Sequence, residues 1–95
     1  MSQTEWTFLS NHGHVLVSLA IDPEARMRDI ADAVGITERA VQQIVGDLVS
    51  QGYVAKEKVG RRNRYAVNRA EHFRHELEAG LTTGDFLDLV VRSSR

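Results

Sequence analysis

The chain contains no cysteine. That excludes disulfides, cysteine-ligated zinc or iron–sulfur centres and any thiol nucleophile. No apolar run approaches the ~18 residues of a membrane span. The amino end, Met1 to Trp6, is polar and lacks the basic-then-apolar pattern of a secretory leader, so a soluble, cytoplasmic protein with no membrane partner is expected. A large excess of charge of one sign is missing too. Twelve Lys and Arg stand against thirteen Asp and Glu, a formal charge of -1, which argues against a polyelectrolyte such as a basic tail. What remains is 42% hydrophobic and 26% charged over 95 residues, the profile of one globular domain spanning 1–95.

The single proline, in Asp22-Pro23-Glu24, and the glycines at 35, 52, 60 and 80 punctuate the chain. Ser10 or Asn11 can cap a first helix running to about Ile21, with Val15, Leu16, Leu19 and Ala20 on one face. Proline then stops it, because it lacks an N–H and restricts the residue before it. Arg26 to Val34 gathers Ile30, Ala31 and Val34 on one side, and Gly35 stands where a C-terminal cap needs positive φ. After Ile36, Thr37 opens a third helix whose apolar side is Val41, Ile44, Val45, Leu48 and Val49. The period then changes. Tyr53-Val54-Ala55 and Tyr65-Ala66-Val67 flank Gly60-Arg61-Arg62-Asn63, which reads as a hairpin turn that also accounts for Asn63. Phe73 and Leu77 are spaced for a short helix over Ala70 to Ala79. Thr82 or Thr83 caps a last helix with Phe86, Leu87, Val90 and Val91 inward.

The middle of the chain satisfies a demanding set of local requirements. Two helices crossing steeply need a small residue where their backbones meet, which is Ala31. They need a turn residue tolerant of positive φ, which is Gly35 four positions on. Ile30, Val34, Ile36, Val41 and Ile44 fall at the inward offsets. On these residues Met27 to Ile44 (MRDIADAVGITERAVQQI) resembles the helix-turn-helix core of bacterial and archaeal winged-helix transcription regulators. The continuation GDLVSQGYVAKEKVGRRNRYAV is similar to their recognition-helix end, GY junction and wing. The likeness covers residues 11–68 and is nearest in style to regulators of the MarR and ArsR type. It departs from them in two respects: MarR-type proteins are usually longer, and ArsR-type metal sensors commonly use cysteines.

The resemblance implies a mainly α fold with a small β-hairpin wing (α+β), a winged helix-turn-helix. It also implies a DNA-binding transcription regulator whose recognition helix, about 37–51, enters the major groove of double-stranded DNA. The outward residues left once the apolar set is removed are Thr37, Glu38, Arg39, Gln42, Gln43 and Gly46. Arg39 suits the N7 and O6 acceptors of guanine, Gln42 or Gln43 the N7/N6 edge of adenine, and Glu38 the amino group of cytosine or simply the helix N-terminus. Thr37 is expected on a phosphate. Gly46 either leaves room for a close approach or is a neutral substitution. In the wing, 53–68, Lys56, Lys58, Arg61, Arg62 and Arg64 are expected on the DNA backbone or an adjacent minor groove, with Arg69 just beyond adding to the charge and Arg28 on the second helix joining them.

Other readings compete with this one. A winged helix also serves as a protein-interaction module without DNA readout. His72 and His75, three apart on the expected helix, allow a histidine-based metal-responsive repressor, although no metal or other cofactor is expected; His12 and His14 read as first-turn surface residues. The terminal segments 1–10 and 70–95 carry more apolar residues, Trp6 and Phe8 at one end and Phe86, Leu87, Val90 and Val91 at the other, than a small core requires, and are expected to form a homodimer. No serine has a catalytic setting and no phosphate-cradling glycine loop is present, so no enzyme is expected. No small-molecule effector is named by any motif. The charge itself is uneven: residues 1–35 carry net -3, 36–75 carry +4 and 76–95 carry -2.

Overall fold

A computed structural model of the chain describes residues 6–93. Residues 1–5 and 94–95 of the expected dimerisation segments lie outside the described residues. Three helices come first: α1 (Asn11–Ile21), α2 (Met27–Val34) and α3 (Glu38–Ser50). The antiparallel hairpin β1 (Val54–Val59) and β2 (Arg62–Val67) follows, then a 3-10 turn at Glu76–Glu78 and a last helix, α4 (Thr83–Ser93).

Helix boundaries fall where cap chemistry puts them. The Ser10 hydroxyl accepts a hydrogen bond from the Gly13 N–H at 3.2 Å, and α1 ends at Asp22, immediately before the proline. Thr37 Oγ1 accepts from the Ala40 N–H at 3.0 Å, satisfying one of the free donors at the start of α3. Between α2 and α3 the chain must reverse within a few residues. Gly35 does so at φ 88°, a left-handed conformation that an L side chain resists. The Ala31 carbonyl then accepts from both Gly35 N–H (2.8 Å) and Ile36 N–H (3.1 Å), so the turn leaves few orphan groups.

The core is one cluster. Val15, Leu16 and Leu19 from α1 meet Ile30 and Ala31 from α2, and Val41, Ile44, Val45 and Leu48 from α3. Val54 and Tyr65 cover it from the hairpin, and Phe86 and Leu87 from α4, so these last two are core residues of the domain and not surplus left for a dimer interface. Most of the expected apolar faces are buried; Ala20, Val34 and Val90 are half-buried, and Val49 and Val91 are exposed. The fold is the α+β winged helix-turn-helix expected from the sequence.

Two local expectations are corrected and one alternative is decided. The hairpin turn is Gly60-Arg61 alone; Arg62 already pairs with Val59 and Asn63 with Lys58, so Asn63 is a strand residue and not part of the turn. Thr82, and not Thr83, caps α4, accepting from the Asp85 N–H at 3.1 Å; the Thr83 hydroxyl turns back to the Asn68 carbonyl. The segment 70–79 is not the helix that Phe73 and Leu77 suggested. Its backbone is committed elsewhere: Glu71 C=O accepts from Thr83 N–H (2.8 Å), and Phe73 N–H donates to Leu81 C=O (3.0 Å). Phe73 turns in to meet Phe86 edge-on at 5.3 Å, while Leu77 points to solvent at 84% exposure.

Candidate nucleic-acid interface

The recognition-helix face follows from subtraction. With Val41, Ile44, Val45 and Leu48 buried, the 3.6-residue period leaves Glu38, Arg39, Gln42, Gln43 and Gly46 on the opposite side, all exposed. Among the described residues, the Arg39, Gln42 and Gln43 side chains make no hydrogen bond or ion pair with the protein. Three long polar groups in a row, none engaged internally, form a surface whose donors and acceptors remain available to an outside partner. Glu38 lies in the first turn of α3, where its charge also favours the helix N-terminus.

Gly46 continues that row. A Cβ built there meets nothing within 4 Å, so the protein's own packing does not require glycine. We expect Gly46→Ala to raise the unfolding free energy by about 0.5–1 kcal/mol, the usual cost of a mid-helix glycine. A thermal melt a few degrees higher checks this. Unchanged or lowered stability would mean that α3 is not a regular helix at this point. If duplex binding weakens in the same variant, the glycine is serving a close approach from outside.

One feature of α3 was not foreseen. Asp47 accepts a hydrogen bond from His12 Nε2 at 2.8 Å, tying the outer side of the recognition helix to the first turn of α1. The residues are 35 apart in sequence, and only the packing of α1 on α3 brings them together.

The wing divides its cations by face. Residues directly opposite each other in an antiparallel pair share a face. Lys56 and Lys58 therefore go with Tyr65 and Asn63, whereas Arg62 and Arg64 go with Val59 and Glu57. Arg61 stands in the turn. Arg64 also lies 3.9 Å from the Glu24 carboxylate. Tyr65 is buried beneath the hairpin; burial pushes its phenol above the usual value, against a smaller lowering by the Asn63 hydrogen bond. The Tyr65 N–H donates to Pro23 C=O at 3.0 Å, fastening β2 to the α1–α2 loop. Arg28 is exposed on α2. Arg69, counted with the wing from sequence, is turned away to the Asp88 carboxylate and the Gly84 carbonyl.

The histidine pair does not assemble. His72 and His75 share no helix. The Nδ1 atom of His72 bonds the Ala79 carbonyl (2.8 Å), and that of His75 accepts from the Leu77 N–H (3.1 Å). Among the described residues no group of three or more His, Cys, Asp or Glu is placed to hold a metal ion. A groove of about 730 Å³ between the starts of α1 and α4, the end of α3 and the 70–80 segment is lined by none of the residues expected on DNA.

Three helices with a glycine turn between the second and third, an unengaged polar face on the third and a cationic hairpin define a winged helix-turn-helix domain. A family model described as MarR family matches residues 7–64, and the chain belongs to that family. The family is one of winged-helix transcriptional regulators, which places the chain among DNA-binding transcription regulators. A comparison with curated proteins finds no match. No helix among the described residues is long and apolar enough to cross a membrane.

Proposed function

We propose that the chain is a sequence-specific regulator of transcription that reads double-stranded DNA with α3 in the major groove and sets its wing on the backbone or adjacent minor groove. Base readout falls to Arg39, Gln42 and Gln43, with Glu38 as a fourth contact. Thr37, Arg28, Lys56, Lys58, Arg61, Arg62 and Arg64 anchor phosphates. The observation that carries this reading is the exposed Arg39–Gln42–Gln43 row, free of internal partners.

The regulator acts as a non-enzymatic cytoplasmic homodimer. Trp6 and Phe8, 67% and 94% exposed and stacked edge-to-face at 5.2 Å, support an interface at the amino-terminal segment. Leu89, 58% exposed on α4, adds apolar surface at the other terminal segment. A two-fold dimer presents two recognition helices about 34 Å apart, one turn of DNA.

Selection of bound fragments from random duplex DNA tests the reading, with a palindromic consensus as the expected result. Arg39→Ala should then weaken binding to that consensus by roughly 5- to 150-fold, the equivalent of about 1–3 kcal/mol, and relax preference at one base pair per half-site. Recovery of no consensus, together with binding insensitive to salt, would leave the protein-interaction reading in its place.

A further inference from the structure

Resting on the duplex-binding reading, we propose that the cleft between the α1–α2 loop and the wing is a phosphate-binding site in which Arg26 joins Arg61 and Arg62. Arg26 belongs to neither the recognition helix nor the wing. The cleft, about 350 Å³, is walled on one side by Glu24 to Met27 and on the other by Arg61, Arg62, Asn63 and Tyr65. The Tyr65 N–H bond to Pro23 C=O holds the two walls together, so the cleft is part of the folded domain and not a chance approach of two loops.

Its charge is unbalanced. Three arginines line it with one carboxylate, Glu24, whose ion-pair partner is Arg64 at 3.9 Å. Among the described residues, Arg26, Arg61 and Arg62 make no side-chain hydrogen bond or ion pair. Like charges gathered around one concavity repel each other in the free protein, and an anion entering there relieves that repulsion. Guanidinium groups present planar forks that match the oxygens of a phosphate. Arg26 is also the N-cap residue of α2, and its side chain makes no cap bond, so the partial positive charge of the helix start adds to the same field. A DNA backbone phosphate seated there contacts the helix-turn-helix and the wing together, which fixes the angle between them on the duplex. A free phosphate or a phosphorylated small molecule offers the same oxygens.

Side-chain NMR of the arginine Nε–H groups in the full chain separates these sources, with inorganic phosphate and the selected duplex as probes. Binding should shift Arg26, Arg61 and Arg62 together. Because the Arg26 side chain caps nothing, Arg26→Gln is expected to fold normally. It should weaken duplex binding severalfold on every sequence and lower the slope of log K against log salt by about 0.9, with base preference retained. A response to duplex alone assigns the site to the DNA backbone; a response to inorganic phosphate alone assigns it to a free phosphoryl group. If the wild-type chain binds duplex, yet neither probe moves Arg26 and Arg26→Gln keeps the full salt slope, this site is overturned while the duplex reading stands. If no duplex binds but phosphate still collects on the three arginines, the duplex reading falls and the site survives.

Discussion

Leu19→Ala is expected to remove about 3–4 kcal/mol of folding stability, the largest effect of any single change considered. Leu19 is fully buried in the cluster where α1 packs against α2, α3, β2 and α4. Truncating such a leucine loses its transfer free energy and leaves a cavity that rigid neighbours fill only in part, with a range of about 2.7–5 kcal/mol. A domain of this size has only about 5–14 kcal/mol in total. The melting temperature should fall by roughly 12–32 °C at about 4–8 °C per kcal/mol. Leu19→Met, which nearly conserves volume, is the control and should cost less than about 1.5 kcal/mol. A drop of only a few degrees for the alanine variant would mean that α1 does not sit at the centre of the core.

Replacing Arg61 and Arg62 together by alanine should leave the melt unchanged and change the response to salt. Both are exposed, and neither contributes to the core cluster. Losing two phosphate contacts lowers the slope of log K against log salt by about 1.8. The gap in duplex affinity between wild type and variant therefore widens roughly tenfold as salt is lowered from about 200 to about 50 mM. Sequence preference should be retained, since these contacts position the protein without reading bases. Arg64→Ala should do less, because Arg64 faces Glu57 across the hairpin and lies near Glu24, so part of its charge is already answered. Equal slopes for wild type and double variant would exclude the wing tip from the interface.

The helix-turn-helix was legible in the sequence because every decision in it is local. Thr37 caps a helix that begins one residue later, and Gly35 takes the left-handed turn directly after α2. The Arg39, Gln42 and Gln43 face was legible for the same reason, since a helical period and a set of apolar residues fix what points outward. The segment after the wing was not, because its conformation is decided by bonds to residues eight to fifteen positions away. Glu71 pairs with Thr83 and Arg69 with Gly84, and no helical pattern in 70–79 announces that. Arg69 and Arg61 look alike as letters; one is bound to Asp88 and the other is in the turn. The split of the wing cations was recoverable from strict alternation once Gly60-Arg61 is taken as a two-residue turn, but a turn placed over 60–63 hides the register. The place of Arg26 is not legible in the sequence, because only the Tyr65–Pro23 bond brings the start of α2 beside the wing.

The junction of Asn68 and Arg69 with the start of α4 has a mechanical meaning. Asn68 N–H donates to the Tyr53 carbonyl, where the wing begins, and the Asn68 carbonyl accepts from the Thr83 hydroxyl, where α4 begins. Gly84 lies so close to Arg69 that an added Cβ would stand 3.0 Å from its carbonyl oxygen, which leaves no slack between the two strands of chain. The hairpin and the last helix are thus joined through one short, tightly bonded junction. α4 and the hairpin also meet inside the domain, where Phe86 and Leu87 share one buried cluster with Val54 and Tyr65, so the last helix and the wing are seated on the same core as well as on the same junction.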